Sequence, residues 1–252
     1  MKRALVVAAV VLSACPPSSA APRFMPSVKD SLSDGPAKCL LVFLPGIGNS
    51  AKDFQTYGFV ESLRKKNLSV DVVAADATFG YYIKGLLIDR LDEDVVQPAK
   101  QQGHYEHTWL VGISLGGMGA ARYASKHPDE IDGALLIAPF LGDPRLTRDI
   151  RNSGGLQKWE PLDPATAPSP QEAELRDMWR WLQSATKPGA KAPLLYVSHG
   201  TEDRFAPYAE VLTEVLPREQ VMTMKGTHHW DTWLPLFQAF LSDSEFTRAC
   251  GR

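Results

Sequence analysis

Cysteine is scarce in this chain, with three in 252 residues at positions 15, 39 and 250. That number excludes a disulfide framework and a cysteine-built metal centre. His104 and His107 lie close in sequence, but no His-Glu-x-x-His or paired-cysteine motif accompanies them. They read as solvated loop histidines, and no metal is expected. An excess of one charge is also lacking: 27 Lys and Arg against 29 Asp and Glu leave a net charge of −2, with no basic footprint for nucleic acid. No apolar run reaches the roughly 18 residues of an ordinary membrane span, and no repeat of about 20–50 residues is found. The loop after the first strand candidate does not have the form Gly-x-Gly-x-x-Gly, so a nicotinamide cofactor is not expected, nor any other cofactor. No cluster of arginines suggests a polyanionic substrate. What remains, at 44% apolar content, is one globular domain with an ample core and at most a small insertion.

The first residues are set apart. Met1-Lys2-Arg3 is a basic start, Ala4 to Leu12 is apolar, and small residues follow; residues 1–21 read as a secretory signal peptide. Leu12-Ser13-Ala14-Cys15 resembles a bacterial lipobox, in which cleavage exposes the cysteine for acylation and so anchors the chain to a membrane. The alternative is ordinary cleavage after Ala20 or Ala21, with Cys15 discarded. Residues 22–37, rich in Pro and Ser, have the composition of a tether, leaving 38–252 as the domain. Export, whether to the periplasm, a membrane anchor or the medium, implies an oxidising compartment. There Cys39 and Cys250 are either bonded to each other or two unrelated thiols.

The most informative stretch is Leu110-Val111-Gly112-Ile113-Ser114-Leu115-Gly116-Gly117. It reads as a buried strand that meets a serine and turns sharply into a helix. Gly112 and Gly116 flank Ser114 in the pattern Gly-x-Ser-x-Gly. A serine on so tight a turn is strained, and side chains two residues away would collide there. Its hydroxyl would stand clear of the sheet, with the Leu115 amide directed at a developing oxyanion. The five residues alone are a weak signal. The strand of 108–113 before them and the small-residue helix of 115–126 after them supply the required context.

The rest of the chain alternates. Strands are expected over 38–44, 68–74, 108–113, 132–138, 193–198 and 220–224, with helices over 53–66, 82–97, 115–126, 208–216 and 230–241. About six strands alternating with helices give an α/β fold, a doubly wound and mostly parallel sheet. Residues 140–191 break the rhythm as an insertion or cap after the fourth strand, with one helix from about 169 to 184.

Over residues 38–242 the chain resembles the α/β-hydrolase family. The resemblance implies a nucleophile, acid and histidine in that order along the chain. Ser114 is then the nucleophile. His199-Gly200-Thr201-Glu202-Asp203-Arg204-Phe205-Ala206-Pro207 is similar to the family's acid turn and puts the acid on Asp203, with Glu202 and Asp143 as substitutes. Gly226-Thr227-His228-His229-Trp230 offers two histidines, and the family's Gly-x-His-x-Trp pattern selects His228 over His229. His199 reads as structural. The oxyanion hole would combine the amides of Leu115 and Ile47, with Gly48 as the neighbouring option, since Pro45 stands where the family often has His. Phe79, Tyr81, Tyr82, Phe140, Leu141, Trp159, Trp179 and Trp181 offer a rim for an apolar acyl or aryl group, and Trp230 and Trp233 lie just past His228. Met178, Trp179 and Leu182 read better as residues that dock the insertion's helix onto the domain. The function implied is a cofactor-free serine hydrolase of small carboxylic esters. The same machinery serves peptidases, thioesterases and acyltransferases, and the scaffold alone would serve a binding protein.

Overall fold

The computed structural model describes residues 21–33 and 35–252. The signal-peptide and lipobox readings therefore lie almost wholly outside the described residues. Strands β1 (Ser27–Asp30), β2 (Cys39–Leu44), β3 (Val70–Ala75), β4 (His107–Ile113), β5 (Gly133–Ile137), β6 (Leu194–Gly200) and β7 (Val221–Met224) form one sheet in the order β1-β3-β2-β4-β5-β6-β7. Six of them run parallel; β1 pairs antiparallel with β3, Ser27 opposite Ala75.

The parallel strands are apolar throughout because both faces are covered. Period two sends alternate side chains of β2 to opposite cores: Leu40, Val42 and Leu44 to one, Cys39, Leu41 and Phe43 to the other. Helices α1 (Asp53–Thr56) and α2 (Phe59–Lys65) cover the second face. Helices α3 (Phe79–Ile83), α4 (Leu87–Leu91), α5 (Gln97–Gln102), α6 (Leu115–Lys126), α7 (Pro144–Asn152), α8 (Pro170–Ala185) and α9 (Ala206–Thr213) follow along the first. Helices α10 (Trp230–Phe240) and α11 (Glu245–Ala249) return to the second. From β2 the chain steps outward to β3 and then back across to β4, so the winding reverses between β2 and β4. An open sheet has its natural crevice at such a reversal.

Several expectations need correction. Residues 22–37 are not a free tether. Met25 is buried, its amide donates to Asp94 Oδ2 at 2.8 Å, and Tyr81 Oη donates to the carbonyls of Pro22 and Phe24, each at 3.1 Å. The segment then becomes β1, a strand beyond the six expected, clamped where Arg64 is ion-paired with Asp30. Its polar composition is that of an edge strand, which needs only one apolar face. The helix expected over 53–66 breaks at Gly58 (φ +81°), and that over 82–97 divides at Gly85 and contains a π-helical turn over Asp92–Val96. Residues 140–191 hold α7 as well as α8, and α8 packs beside α6 as the crossover from β5 to β6. Arg122 is ion-paired with Glu174, and Lys126 Nζ lies 3.3 Å from Asp177.

The two cysteines of the domain are bonded: Cys39 opens β2 and Cys250 follows α11, at a sequence separation of 211. Among the described residues no helix is long and apolar enough to cross a membrane.

Candidate active site

The turn after β4 is built from backbone packed against backbone. A Cβ on Gly112 would lie 2.1 Å from the Gly116 carbonyl oxygen, and one on Gly116 would lie 2.1 Å from that of Leu44. The collision that requires glycine at both positions is thus with the turn itself and with the end of β2, rather than with the serine. Ser114 sits between them at φ +54°, ψ −116°, a conformation that an L side chain adopts only under constraint. The constraints are visible. The Ser114 amide donates to the Ile137 carbonyl at 2.9 Å, and its own carbonyl accepts from Gly117 at 2.9 Å and Phe140 at 3.0 Å. Phe140 belongs to a second strained turn, begun at Ala138 (φ +46°), whose amide donates to the Ser198 carbonyl at 2.6 Å.

The loops after β6 and β7 are joined in the same way. Thr201 donates to the Met224 carbonyl at 2.8 Å and Glu202 to the Gly226 carbonyl at 2.9 Å. This contact places Asp203, from one loop, beside His228, from the other. Asp203 Oδ2 lies 2.8 Å from His228 Nδ1, and His228 Nε2 lies 2.9 Å from Ser114 Oγ. Three side chains from three loops therefore form one hydrogen-bonded line. The Asp203 side chain is wholly buried, and its other oxygen accepts from the Phe205 amide at 2.7 Å. A carboxylate so held accepts a hydrogen bond from Nδ1–H, which fixes the tautomer and leaves Nε2 to accept from the serine hydroxyl. The imidazole is flanked edge-on by Phe205 at 4.7 Å and Trp233 at 4.9 Å.

The remaining candidates fall elsewhere. Glu202 is exposed and 3.7 Å from Lys225 Nζ. Asp143 caps α7, where the Arg145 side chain beside it, helped by the Arg145 amide, holds its carboxyl below the usual carboxylate range. His229 caps α10 and pairs with Asp231. His199 is buried, with Nδ1 3.0 Å from the Gly200 carbonyl. His107 pairs with Asp132 at 2.8 Å, and no trio of potential metal ligands gathers among the described residues.

Opposite the elbow, the loop of residues 45–49 closes as a turn, Asn49 donating to the Gly46 carbonyl at 3.1 Å with Gly48 at φ +78°. A Cβ on Gly46 would lie 3.2 Å from Ser114 Cβ, so this loop is the wall the serine faces. The amides of Ile47 and Leu115 donate to no acceptor among the described residues.

Of the aromatics expected at the rim, Tyr81, Tyr82, Trp159 and Trp179 are buried in the core, and Trp179 Nε1 donates to the Leu141 carbonyl at 3.0 Å. Phe140 reaches the site through Phe205, 5.5 Å away. Phe205 was not singled out from the sequence. Its signal was its place two residues after the acid, where its amide must meet the carboxylate.

The family described as the alpha/beta hydrolase fold matches residues 40–161. No curated protein matches the chain. Among solved structures, a ferulic acid esterase is 15% identical with a TM-score of 0.59, covering 90% of this chain and 99% of its own. Est1E from Butyrivibrio proteoclasticus is 21% identical with a TM-score of 0.59, covering 84% of this chain and 89% of its own. An S-formylglutathione hydrolase (FrmB) from Staphylococcus aureus is 15% identical with a TM-score of 0.58, covering 91% and 99%. With its sheet order, its strained serine turn and these likenesses, the chain has the α/β-hydrolase fold.

Proposed function

We propose that this protein is a serine hydrolase of the α/β-hydrolase superfamily that cleaves carboxylic esters without a cofactor. The observation that carries the reading is the continuous line from Asp203 through His228 to Ser114, at 2.8 and 2.9 Å. Ser114 Oγ bonds to the ester carbonyl carbon as its proton passes to His228 Nε2. The amides of Ile47 and Leu115 bind the oxyanion. The bond to the alcohol then breaks, and Nε2 returns the proton to the leaving oxygen. Water attacks the acyl-enzyme, again giving a proton to Nε2, and the acid departs as Ser114 regains its hydrogen. Asp203 keeps Nδ1–H in place and stabilises the imidazolium.

Small-molecule esters fit best, because the aromatic edge near His228 is apolar and no cluster of unpaired arginines faces the serine among the described residues. The reading includes export, with Cys15 either acylated or removed. The Cys39–Cys250 bond supports export, since such bonds persist in oxidising compartments. A fluorophosphonate probe and p-nitrophenyl esters of increasing chain length test the proposal. Labelling lost in Ser114→Ala, with turnover of at least one ester, is the expected result. A well-folded protein that neither labels nor turns over any ester would point to a binding protein on this scaffold.

A further inference from the structure

Two hydrogen bonds hold the imidazole of His228, one at each nitrogen. Acyl transfer to Ser114 removes one of them. Once Ser114 Oγ carries the acyl group it has no hydrogen to donate, and the ring keeps only its bond to Asp203. The second half of the reaction asks more of the same ring. Nε2 must then receive a proton from a water that arrives without a covalent tether. What keeps the ring aimed in the acyl-enzyme therefore has to come from the groups packed against it.

Two rings do so, and they differ. Trp233 stands edge-on to the imidazole at 4.9 Å and 83°. It is buried in the second core with Trp230 packed on it at 5.1 Å, so this wall belongs to the body of the domain. Phe205 stands edge-on at 4.7 Å and 84° and is only half-buried. It is tied to all three members of the line. Its amide donates to Asp203 Oδ1 at 2.7 Å, which fixes its backbone beside the acid. Its ring meets His228. The same ring packs on Phe140 at 5.5 Å, and the Phe140 amide donates to the Ser114 carbonyl at 3.0 Å. Tyr208 backs both phenylalanines, 6.2 Å from Phe205 and 5.4 Å from Phe140, and its Oη donates to the Gly142 carbonyl at 2.5 Å. The Arg204 guanidinium lies over the Phe205 ring at 4.7 Å.

We propose that Phe205 is a positioning residue for deacylation, its ring keeping the His228 imidazole aimed at the attacking water after Ser114 has been acylated. The inference rests on the hydrolase reading. In the free enzyme the Phe205 ring restrains a group already held at both nitrogens, so acylation loses little without it. In the acyl-enzyme it is one of two packing contacts beside a single hydrogen bond. Without it Nε2 wanders, and a misplacement of about 1 Å at a reacting group can cost about 10²-fold.

The test separates the two halves of the reaction. The natural protein, Phe205→Ala, Phe205→Tyr and Arg204→Ala are compared by rapid-mixing release of p-nitrophenol from a p-nitrophenyl ester. Their rates of labelling by a fluorophosphonate probe, which needs only the first half, are measured beside it. Phe205→Ala is expected to release a burst of about one p-nitrophenol per active site and then to turn over at least about tenfold more slowly than the natural protein. Because only the later step slows, KM should fall with kcat, leaving kcat/KM and the labelling rate within about threefold. Phe205→Tyr keeps the ring and should restore turnover. Arg204 is exposed and meets the site through the Phe205 ring, so Arg204→Ala decides the matter should Phe205→Ala fold poorly. Loss of its contact with the ring should slow the same step by about two- to fivefold. A labelling rate and kcat/KM that fall as far as kcat would mean that Phe205 serves the first half or the fold, and would overturn the proposal. So would unchanged turnover in a folded Phe205→Ala, or in Arg204→Ala where Phe205→Ala does not fold, or a Phe205→Tyr no better than Phe205→Ala. A natural protein that neither labels nor turns over an ester defeats the hydrolase reading. One that does both while Phe205→Ala matches it defeats this inference alone.

Discussion

The two rims of the sheet are built in opposite ways. At the rim where the parallel strands begin, the chain is stapled. The Cys39–Cys250 bond ties the start of β2 to the C-terminus, and Ser69 donates to the Cys250 carbonyl at 2.7 Å. Asp132 receives the Thr108 amide at 2.7 Å and pairs with His107. Where the backbone there turns left-handed, at φ +53°, the residue is Asn67, a type that tolerates it. At the rim where the strands end, left-handed backbone falls on Ser114 and Ala138, which tolerate it poorly, and large apolar groups face solvent. The difference teaches that strain and exposure are concentrated where a reacting group must project, and that the rigidity allowing this is supplied across the sheet as well as nearby.

The sharpest test of this division is Ser114→Ala. Ester turnover is expected to fall at least about 10⁴-fold. The melting temperature should move by no more than about 2 °C, because the methyl group leaves the strained turn unrelieved. Loss of folding along with activity would show that the serine rim carries structure as well as chemistry. Asp203→Asn should come next, lowering kcat by about 10⁴-fold through the wrong histidine tautomer, with the Phe205 amide still accepted by the remaining side-chain oxygen. A decrease of less than tenfold would remove Asp203 from its orienting role.

The stapled rim should respond in the other currency. For Cys39→Ser/Cys250→Ser, loop closure over the 211-residue separation gives an upper bound of about 5 kcal/mol, and native disulfides commonly contribute about 2–4. Urea unfolding should show a loss in that range, with kcat on a soluble ester unchanged at 25 °C. A fall in kcat of the same variant while it remains folded would mean that the two rims are coupled.

How much of this could be read from the residues follows the same division. The central strands were legible because burial on both faces writes an unbroken apolar run, as in Leu40 to Leu44 and Leu110 to Ile113. Ser114, Asp203 and His228 could be named because each sits in a short local pattern, and the folded chain brings them within hydrogen-bond distance. What the sequence hid is set by tertiary contacts. Ser27 to Asp30 has no apolar run, since an edge strand packs on one side only. The break at Gly58 depends on a left-handed turn that glycine permits but does not demand. Trp179 can serve a pocket or a core, and only its hydrogen bond to the Leu141 carbonyl decides the matter.

The smallest expected effect lies at the stapled rim, where Glu130 collects Lys100 at 2.9 Å, Gln97 at 3.0 Å and His127 at 3.3 Å. The Lys100 ammonium, and after it the Gln97 amide, bring the Glu130 carboxyl down from 4.5 to about 2. A carboxylate whose folded value is depressed stabilises the native state fully above its unfolded value and loses that contribution as the pH falls towards the folded one. The window is therefore about pH 4.5 down to about 2. Glu130 is more than a third exposed, so solvent screening holds the contribution to no more than about 1 kcal/mol. Glu130→Gln keeps the shape and removes the charge. The stability gap between the natural protein and this variant should be constant above the window and close across it, with ester turnover at neutral pH unaffected. A gap independent of pH would assign the loss to packing. A change in turnover would mean that the tie beneath β5 reaches Ala138 and the elbow, so that the stapled rim tunes the strained one.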